Sequence, residues 1–479
     1  MVGLGVEMTN VLAQYFTVTP TLPQYRAFEA LVNFLTAVEK NSCFVLKGYA
    51  GTGKTTLLAV LVKALPTFRM RSVLLAPTGR AAKVMSAYTG MPATTIHKKI
   101  YRKRVAGTPD LSFALADNLH KRTLFIVDEA SMISDEQVVY DRKSLLEDLV
   151  GYVASGEHCK LLFVGDMAQL PPVGMTESPA LNSEYLYARF GYDVFTAELT
   201  DVVRQESDSG ILFNATAIRE QIRWDKEANE QICFPKLVVK GFTDVYRMTG
   251  ERLIEGLHYA YDKYGMEHTL VICRSNKHAN LYNQHIRHQI LYREEELTGG
   301  DQVMVVRNNY YWAAAQEGTQ RFIANGDMAV VKRVRNVHEQ HGFRFADVSL
   351  GFVDQEDAEP LTCRVLLDVL HSDTPHLSFE EQRRLFDAVM LDYAHITDRR
   401  ARIAALKNDV YYNALQIKFS MAVTCHKAQG GQWDAVFIDQ GYLTEEMLTT
   451  EFLRWLYTAC TRATKELFLL NFHEQFFVS

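Results

Sequence analysis

Short, continuous apolar runs set the rhythm of the first 200 residues. Cys43–Leu46, Leu124–Val127 and Lys160–Val164 are almost uninterrupted in hydrophobic character, and each ends in a polar, glycine- or aspartate-containing turn. Strands buried on both faces read this way, whereas half-exposed strands alternate. Thr56–Leu65 has the spacing of a helix, and strands alternate with helices across residues 43–200. The pattern predicts an α/β fold with a doubly wound parallel sheet. Further on, Val271–Lys277 has the form of a strand and turn, and Gly300–Val306 and Asn325–Val331 each place a turn before a strand. Strands resume near Gly342–Leu350 and Cys363–Leu370, as a small inserted β-barrel would require. Phe379–Lys407 combines dense charge with helical apolar spacing and predicts a solvated helix pair. Leu415, Ile417, Phe419, Met421 and Val423 alternate, predicting one strand that runs into Thr424. Lys98–Val105 and Leu111–Leu115 flank Ala106–Asp110, the signature of a hairpin with a Gly/Pro turn.

The length of 479 residues points to about two to four domains. With 48% hydrophobic and 23% charged residues the chain can bury sizeable cores, which excludes wholesale disorder. Seven cysteines lie far apart without a CxxC pair, so neither a zinc site nor a disulfide framework is expected, and a reducing cytoplasm fits. The first residues lack the basic start and apolar core of a signal peptide. No run approaches the roughly 18 apolar residues of a membrane span. A cytoplasmic chain without a membrane partner is the expectation.

Charge changes the picture only once it is resolved along the chain. The formal net charge is −6, which argues mildly against an anionic partner. Yet residues 40–109 contain no Asp or Glu and carry 13 Lys or Arg, leaving −19 on the other 409 residues. Surface potential is local, so a segregated basic stretch favours an anionic polymer despite the acidic total.

Within that stretch Cys43–Leu46 leads into Gly48-Tyr49-Ala50-Gly51-Thr52-Gly53-Lys54-Thr55 and then a helix. Strand, GxxxxGKT and helix form the context of a phosphate-binding loop. The glycines Gly48, Gly51 and Gly53 let backbone N–H groups turn inward, with Thr52 and Thr56 completing the cradle around the phosphates of ATP. Lys54 is placed to reach the terminal phosphates, and the Thr55 hydroxyl to ligate Mg²⁺. Leu124–Val127 ends in Asp128-Glu129, where Asp128 suits the metal's hydration shell and Glu129 the attacking water. Gln169 follows the Lys160–Val164 strand, within reach of a terminal phosphate or that water.

Taken in order, these and later segments resemble the motifs of a superfamily 1 helicase, most closely its RecD/Dda-type 5′→3′ branch. Gln24 resembles the family's adenine-reading glutamine. Gly48–Thr55 matches motif I, Ala76–Ala82 motif Ia, Thr95–Lys98 the motif Ib region, Leu124–Ser131 motif II and Gly165–Val173 motif III. Leu199–Gln205 is similar to motif IV, Val423–Gly430 to motif V and Tyr457–Ala463 to motif VI. The chain departs at Ala428, where relatives often carry Ser, and at Cys460, where they often carry Leu. Residues 223–245 and 340–410 match no motif of the family.

The resemblance implies two RecA-like lobes: a first over 1–208, holding a pin hairpin at 92–120, and a second over 209–309 and 416–479. An SH3-like insertion with a helical segment would occupy 310–415. It further implies that Arg204 and Arg462 reach the γ-phosphate across a cleft. Pro77, Thr78, His97, Lys98, Tyr101, Arg102, Thr424, His426 and Lys427 would contact nucleic acid. Single-stranded and forked DNA are the implied partners, with replication or repair proteins as further ones and a monomer as the expected state. An RNA or RNA–DNA helicase of the same superfamily, or a nucleic-acid-activated ATPase that remodels protein complexes, remains open on the same residues.

Overall fold

The computed structural model describes residues 12–16, 19–37, 41–103, 113–136, 143–203, 209–228, 233–309, 311–312, 323–353 and 358–478. Two parallel sheets and a closed barrel organise them.

The first sheet contains β1 (Ser42–Gly48), β2 (Arg71–Ala76), β3 (Ala93–Thr95), β6 (Thr123–Val127), β7 (Lys160–Gly165) and β8 (Asp193–Leu199). Their order is β3-β2-β6-β7-β1-β8, all parallel. The continuous apolar runs are explained by burial on both faces. Phe44, Leu46, Ile126 and Leu162 pack with the Leu22–Thr36 and Lys54–Ala64 helices, while Val45, Phe125, Val127 and Phe163 pack with the Leu145–Ala154 helix. Because every strand runs the same way, the loops after β1, β6 and β7 share one sheet edge, where α/β proteins place their ligands.

Between β3 and β6 a two-stranded ribbon projects, formed by β4 (Tyr101–Lys103) and β5 (Phe113–Leu115), with Tyr101 opposite Leu115. The expected first arm of the hairpin begins as a helix, Ile96–Ile100, capped by the Thr95 hydroxyl, so only its second half is strand. The turn Ala106–Asp110 lies outside the described residues.

The second sheet is also wholly parallel, in the order β16-β10-β17-β18-β9, from β9 (Val245–Met248), β10 (Thr269–Cys273), β16 (Ala422–Thr424), β17 (Trp433–Asp439) and β18 (Ala463–Leu470). One face carries the Thr450–Cys460 helix, and its core reaches Tyr49, Ala168 and Leu170 of the first lobe. The other face shares one core with the barrel, Val271, Phe437 and Phe468 packing in the same cluster as Val303, Val348 and Ile417.

The barrel comprises β11 (Gln302–Val305), β12 (Met328–Gln340), β13 (Phe343–Phe352), β14 (Leu361–Leu366) and β15 (Leu415–Phe419). It therefore takes its first and last strands from outside the expected 310–415 insertion, because β11 and β15 pair with each other to close it. The helices Phe379–Asp392 and Arg399–Lys407 lie between β14 and β15. The single strand expected over 415–423 is broken at Ser420 and Met421: β15 belongs to the barrel and β16 to the second sheet. No described helix is long and apolar enough to cross a membrane.

Candidate functional site

The phosphate loop leaves the end of β1 and enters the Lys54–Ala64 helix. Gly53 sits at φ +85°, which favours glycine, and a Cβ there would lie 2.6 Å from Gln24 Nε2 and displace that side chain. Lys54 Nζ donates to the carbonyls of Gly48 (2.7 Å) and Tyr49 (2.8 Å), which arches the ammonium back over the loop. The Thr52 hydroxyl closes the turn on Tyr49 O at 2.8 Å. Gln24 is buried in the first turn of the Leu22–Thr36 helix and donates to Thr52 O at 3.1 Å. The glutamine that the resemblance assigns to adenine thus also braces the loop. Thr55 and Thr56 are exposed at the start of the following helix.

The adjoining loops bring carboxylates to the same edge. Asp128 follows β6 and accepts hydrogen bonds from the Tyr88 hydroxyl (2.6 Å) and the Glu129 N–H (2.8 Å). Glu129 has φ +53°, a left-handed conformation that costs a non-glycine residue about 1–3 kcal/mol and marks strained functional positions. Burial pushes its carboxyl pKa up and Asp128 adds to the rise, while the positive charge of Arg462 opposes it. Asp166, after β7, lies 3.9 Å from Lys54 Nζ. Gln169 is buried at 6% exposure, and its side-chain oxygen has no hydrogen-bond partner among the described residues.

These residues suit a magnesium nucleotide. Mg²⁺ retains water and substrate phosphates and needs only one or two protein oxygens, which the exposed Thr55 hydroxyl and the Asp128 carboxylate can offer. The loop's inward-turning backbone and Lys54 provide the cradle for the phosphates.

The second lobe completes the edge. Tyr457 of the Thr450–Cys460 helix donates to Asp166 Oδ2 at 2.7 Å and accepts from the Ala50 N–H at 2.8 Å. Thr458 Oγ1 accepts from Leu170 N at 2.9 Å, and Gln429 donates to Leu170 O at 2.7 Å. Arg462 is buried, with Nε on Thr458 O, one terminal nitrogen on Gly431 O and the other on the Thr461 hydroxyl, all about its own lobe. Its charge nonetheless acts on Glu129 across the cleft. Arg204 lies outside the described residues. Arg80, in the motif Ia segment, stacks 3.7 Å over the Trp433 ring and donates to Gln432 O at 2.9 Å.

The expected strand contacts divide into two groups. Pro77 and Thr78 follow β2, the Thr78 hydroxyl capping the Gly79–Thr89 helix. Lys98 is exposed, and Arg102 is exposed and paired with Asp117 at 2.8 Å. His97 and Tyr101 turn inward instead. Burial lowers the His97 pKa to about 4, so it is neutral. Tyr101 packs on the lobe's core with its hydroxyl donating to Asp148 at 2.7 Å, which leaves little of the ring to stack on a base. In the second lobe, Thr424, His426 and Lys427 lie at the end of β16, where Thr424 and Lys427 line a small pocket with Lys418, Asn276 and Asn280. Burial lowers the pKa of Lys427, and of Lys418, to about 8.

Several functional positions escaped sequence reasoning. Asp166, Tyr457, Thr458 and Gln429 fall inside recognised motifs without any local sign of pairing across the cleft. Arg219, on the Gly210–Ala228 helix, lies over the Tyr49 ring of the phosphate loop at 4.9 Å, with one buried guanidinium nitrogen unpartnered among the described residues. Nothing in its spacing distinguished it from a surface charge.

Comparison with known proteins agrees with this geometry. Residues 24–229 match the AAA domain, and residues 419–470 the UvrD-like helicase C-terminal domain. The chain is 32% identical over 213 residues to the ATP-dependent DNA helicase dda of Enterobacteria phage T4, covering 43% of each chain. It is 35% identical over 130 residues to the ATP-dependent RecD2 DNA helicase of Deinococcus radiodurans, covering 27% of this chain and 16% of that one. The matched regions thus span less than half the length of either relative. A crystal structure of Pif1 helicase from Bacteroides, in complex with ADP-AlF3 and ssDNA, superposes with a TM-score of 0.45 at 14% identity, covering 96% of this chain and 95% of that one. The chain thus carries a segment that matches the AAA domain followed by one that matches the UvrD-like helicase C-terminal domain, and it is similar to ATP-dependent DNA helicases over part of their length.

Proposed function

We propose that the chain is an ATP- and Mg²⁺-dependent DNA helicase that moves 5′→3′ along single-stranded DNA and opens forked duplexes. The observation that carries this reading is the loop after β7: Leu170 is held from both sides by Thr458 and Gln429, residues of the second lobe's motifs VI and V. The loop that carries Gln169 towards the nucleotide is therefore bonded to the lobe whose motif V offers Thr424, His426 and Lys427 to a strand. A change at the phosphates alters the fit of the second lobe, and that lobe's cationic edge moves with it. Gln169 orients the attacking water and Glu129 accepts its proton, while Lys54, Arg462 and Arg204 take up the charge that develops on the phosphoryl group. Thr55 and Asp128 would hold Mg²⁺, which would supply positive charge to offset that of the phosphates.

Phosphate contacts from Lys98, Arg102 and Lys427 would grip without reading sequence. The β4–β5 ribbon projects from the first lobe at the expected pin. Opening one base pair costs roughly 1.4 kcal/mol, well within what each hydrolysis provides. The domain bounds fitting this reading are a first lobe over 1–208, a barrel closed by residues 302–305 and 415–419, and a second lobe over the remainder. A monomer acting with replication or repair proteins completes the proposal.

The test is strand separation on 5′-tailed and 3′-tailed duplexes of DNA and of RNA, with ATP turnover measured alongside. Unwinding of the 5′-tailed DNA fork, with turnover stimulated by single strands, is the expected result. Turnover indifferent to nucleic acid would refute the motor, and unwinding restricted to RNA would reassign the substrate.

A further inference from the structure

Tyr457 has a position that the arginine of its motif does not explain. It is almost fully buried, yet both hydrogen bonds of its hydroxyl leave its own lobe. The proton goes to Asp166 Oδ2, and the oxygen lone pair accepts from the backbone N–H of Ala50, inside the phosphate loop. The same Asp166 oxygen is 3.9 Å from Lys54 Nζ, which in turn donates to Gly48 O and Tyr49 O. A closed ring results: loop backbone, Tyr457, Asp166, Lys54 and loop backbone again. Lys54 cannot move towards a phosphate without changing the charge beside Asp166, and Asp166 cannot change partner without releasing Tyr457.

Tyr457 is one residue from Thr458, which holds Leu170, and little more than one helical turn from Arg462, which acts on Glu129. A displacement felt at the tyrosine hydroxyl is therefore carried along the helix to Thr458 and through the turn that follows it to Arg462. A buried tyrosine always finds a partner for its hydroxyl, so pairing alone means little. Here both partners belong to the nucleotide edge of the opposite lobe.

We propose that Tyr457 is a positioning residue through which the second lobe senses an occupied phosphate loop, coupling nucleotide binding to the grip on single-stranded DNA. This rests on the helicase reading above. Removing the hydroxyl would leave both ligands able to bind while weakening the influence of each on the other.

The experiment measures the dissociation constant for a fluorescent single-stranded oligonucleotide, with and without a non-hydrolysable ATP analogue, for the unmodified chain and for Tyr457→Phe. Coupling between sites is typically 5–150-fold and reciprocal. The unmodified chain should show a nucleotide-dependent shift in that range, and Tyr457→Phe should reduce it by about tenfold or to nothing. The variant's affinity for DNA without nucleotide and its melting temperature should stay close to those of the parent. Tyr259→Phe, which removes a tyrosine hydroxyl paired with Glu466 within the second lobe, should keep most of the shift. A full shift in Tyr457→Phe would overturn the proposal, as would equal losses in both variants or a fall in melting temperature that accounts for the change. An unmodified chain that binds no DNA would overturn the helicase reading itself, and is distinguished by appearing before any substitution.

Discussion

The two parallel sheets are alike in strand direction and in burial, yet their ligand edges carry opposite charge. The first sheet gathers Asp128, Glu129 and Asp166 around a single lysine, Lys54. The second presents Lys427 just after β16, beside the buried Lys418 of the barrel strand β15, with Arg462 in the turn after the Thr450–Cys460 helix. The architecture is repeated; the chemistry is not. An acidic edge suits a metal nucleotide and a general base, whereas a cationic edge suits a phosphodiester and the charge that develops during phosphoryl transfer. On the proposed reading, neither sheet holds a complete hydrolase, and the catalytic groups would meet only in the cleft between them.

The largest test of that division is Arg462→Ala. Turnover of ATP should fall by about 10³–10⁵-fold, although the residue belongs to the lobe without a phosphate loop. Steady-state hydrolysis beside fluorescence anisotropy on single strands checks it, and a loss confined to DNA binding would move Arg462 to the strand edge. Next comes Glu129→Gln, expected to lower kcat by roughly 10²–10⁴-fold with DNA binding retained. Because burial raises the Glu129 pKa, the acid limb of the parent's pH–kcat profile should lie above that of an ordinary glutamate. Arg462 opposes that rise, so the residual activity of Arg462→Ala should show the limb displaced to still higher pH. An unmoved limb would remove Glu129 as the base.

Smaller effects belong to the cationic edge. The Lys427 pKa is lowered to about 8, so the free protein carries its charge at neutral pH and loses it as pH rises through that value. Affinity for single strands should fall across the same interval, and Lys427→Gln should bind roughly tenfold more weakly at neutral pH and without that dependence. Titrations at several pH values decide. Smallest is the double change Lys98→Ala with Arg102→Ala, which should slow unwinding more than ATP turnover. Each lost phosphate contact should also flatten the salt dependence of single-strand binding by about 0.7 in logarithmic slope. Equal losses of unwinding and turnover would reduce the ribbon to a binding patch.

Legibility in the sequence followed the same division. β1, β6 and β7 were readable because burial on both faces leaves a continuous apolar run, and the glycines of the phosphate loop are imposed by local backbone geometry. The 415–423 segment misled because its polar positions are buried with partners: Gln416 accepts from Leu377 N at 3.0 Å, and Lys418 donates to Ser372 O. Alternation there sets the core residues Leu415, Ile417 and Phe419 against buried, hydrogen-bonded polar groups, and it gives no sign of the break at Ser420 and Met421. The acid-free stretch was a sound guide to the phosphate loop, but acids from elsewhere meet it in space, Asp117 at Arg102 and Asp148 at Tyr101. Tyr457 could not be read at all, since Ala50 lies 407 positions away.

Only Ser420 and Met421 separate the last barrel strand from the short strand that ends at Thr424. Across the cleft, the first lobe's Lys83 donates to Val353 O at the end of β13, and Arg80 to the sulfur of Met328 at the start of β12. The barrel is thus anchored at one side and joined at the other, without slack, to a segment proposed to hold the strand. On the proposed reading it would be a strut between the first lobe and the strand-holding segment, not an ornament hung on the motor. Tension on the DNA would be borne through its hydrogen-bonded wall before reaching the nucleotide, so the stiffness of the barrel would set how far a pull on the strand is felt as strain at the site of hydrolysis.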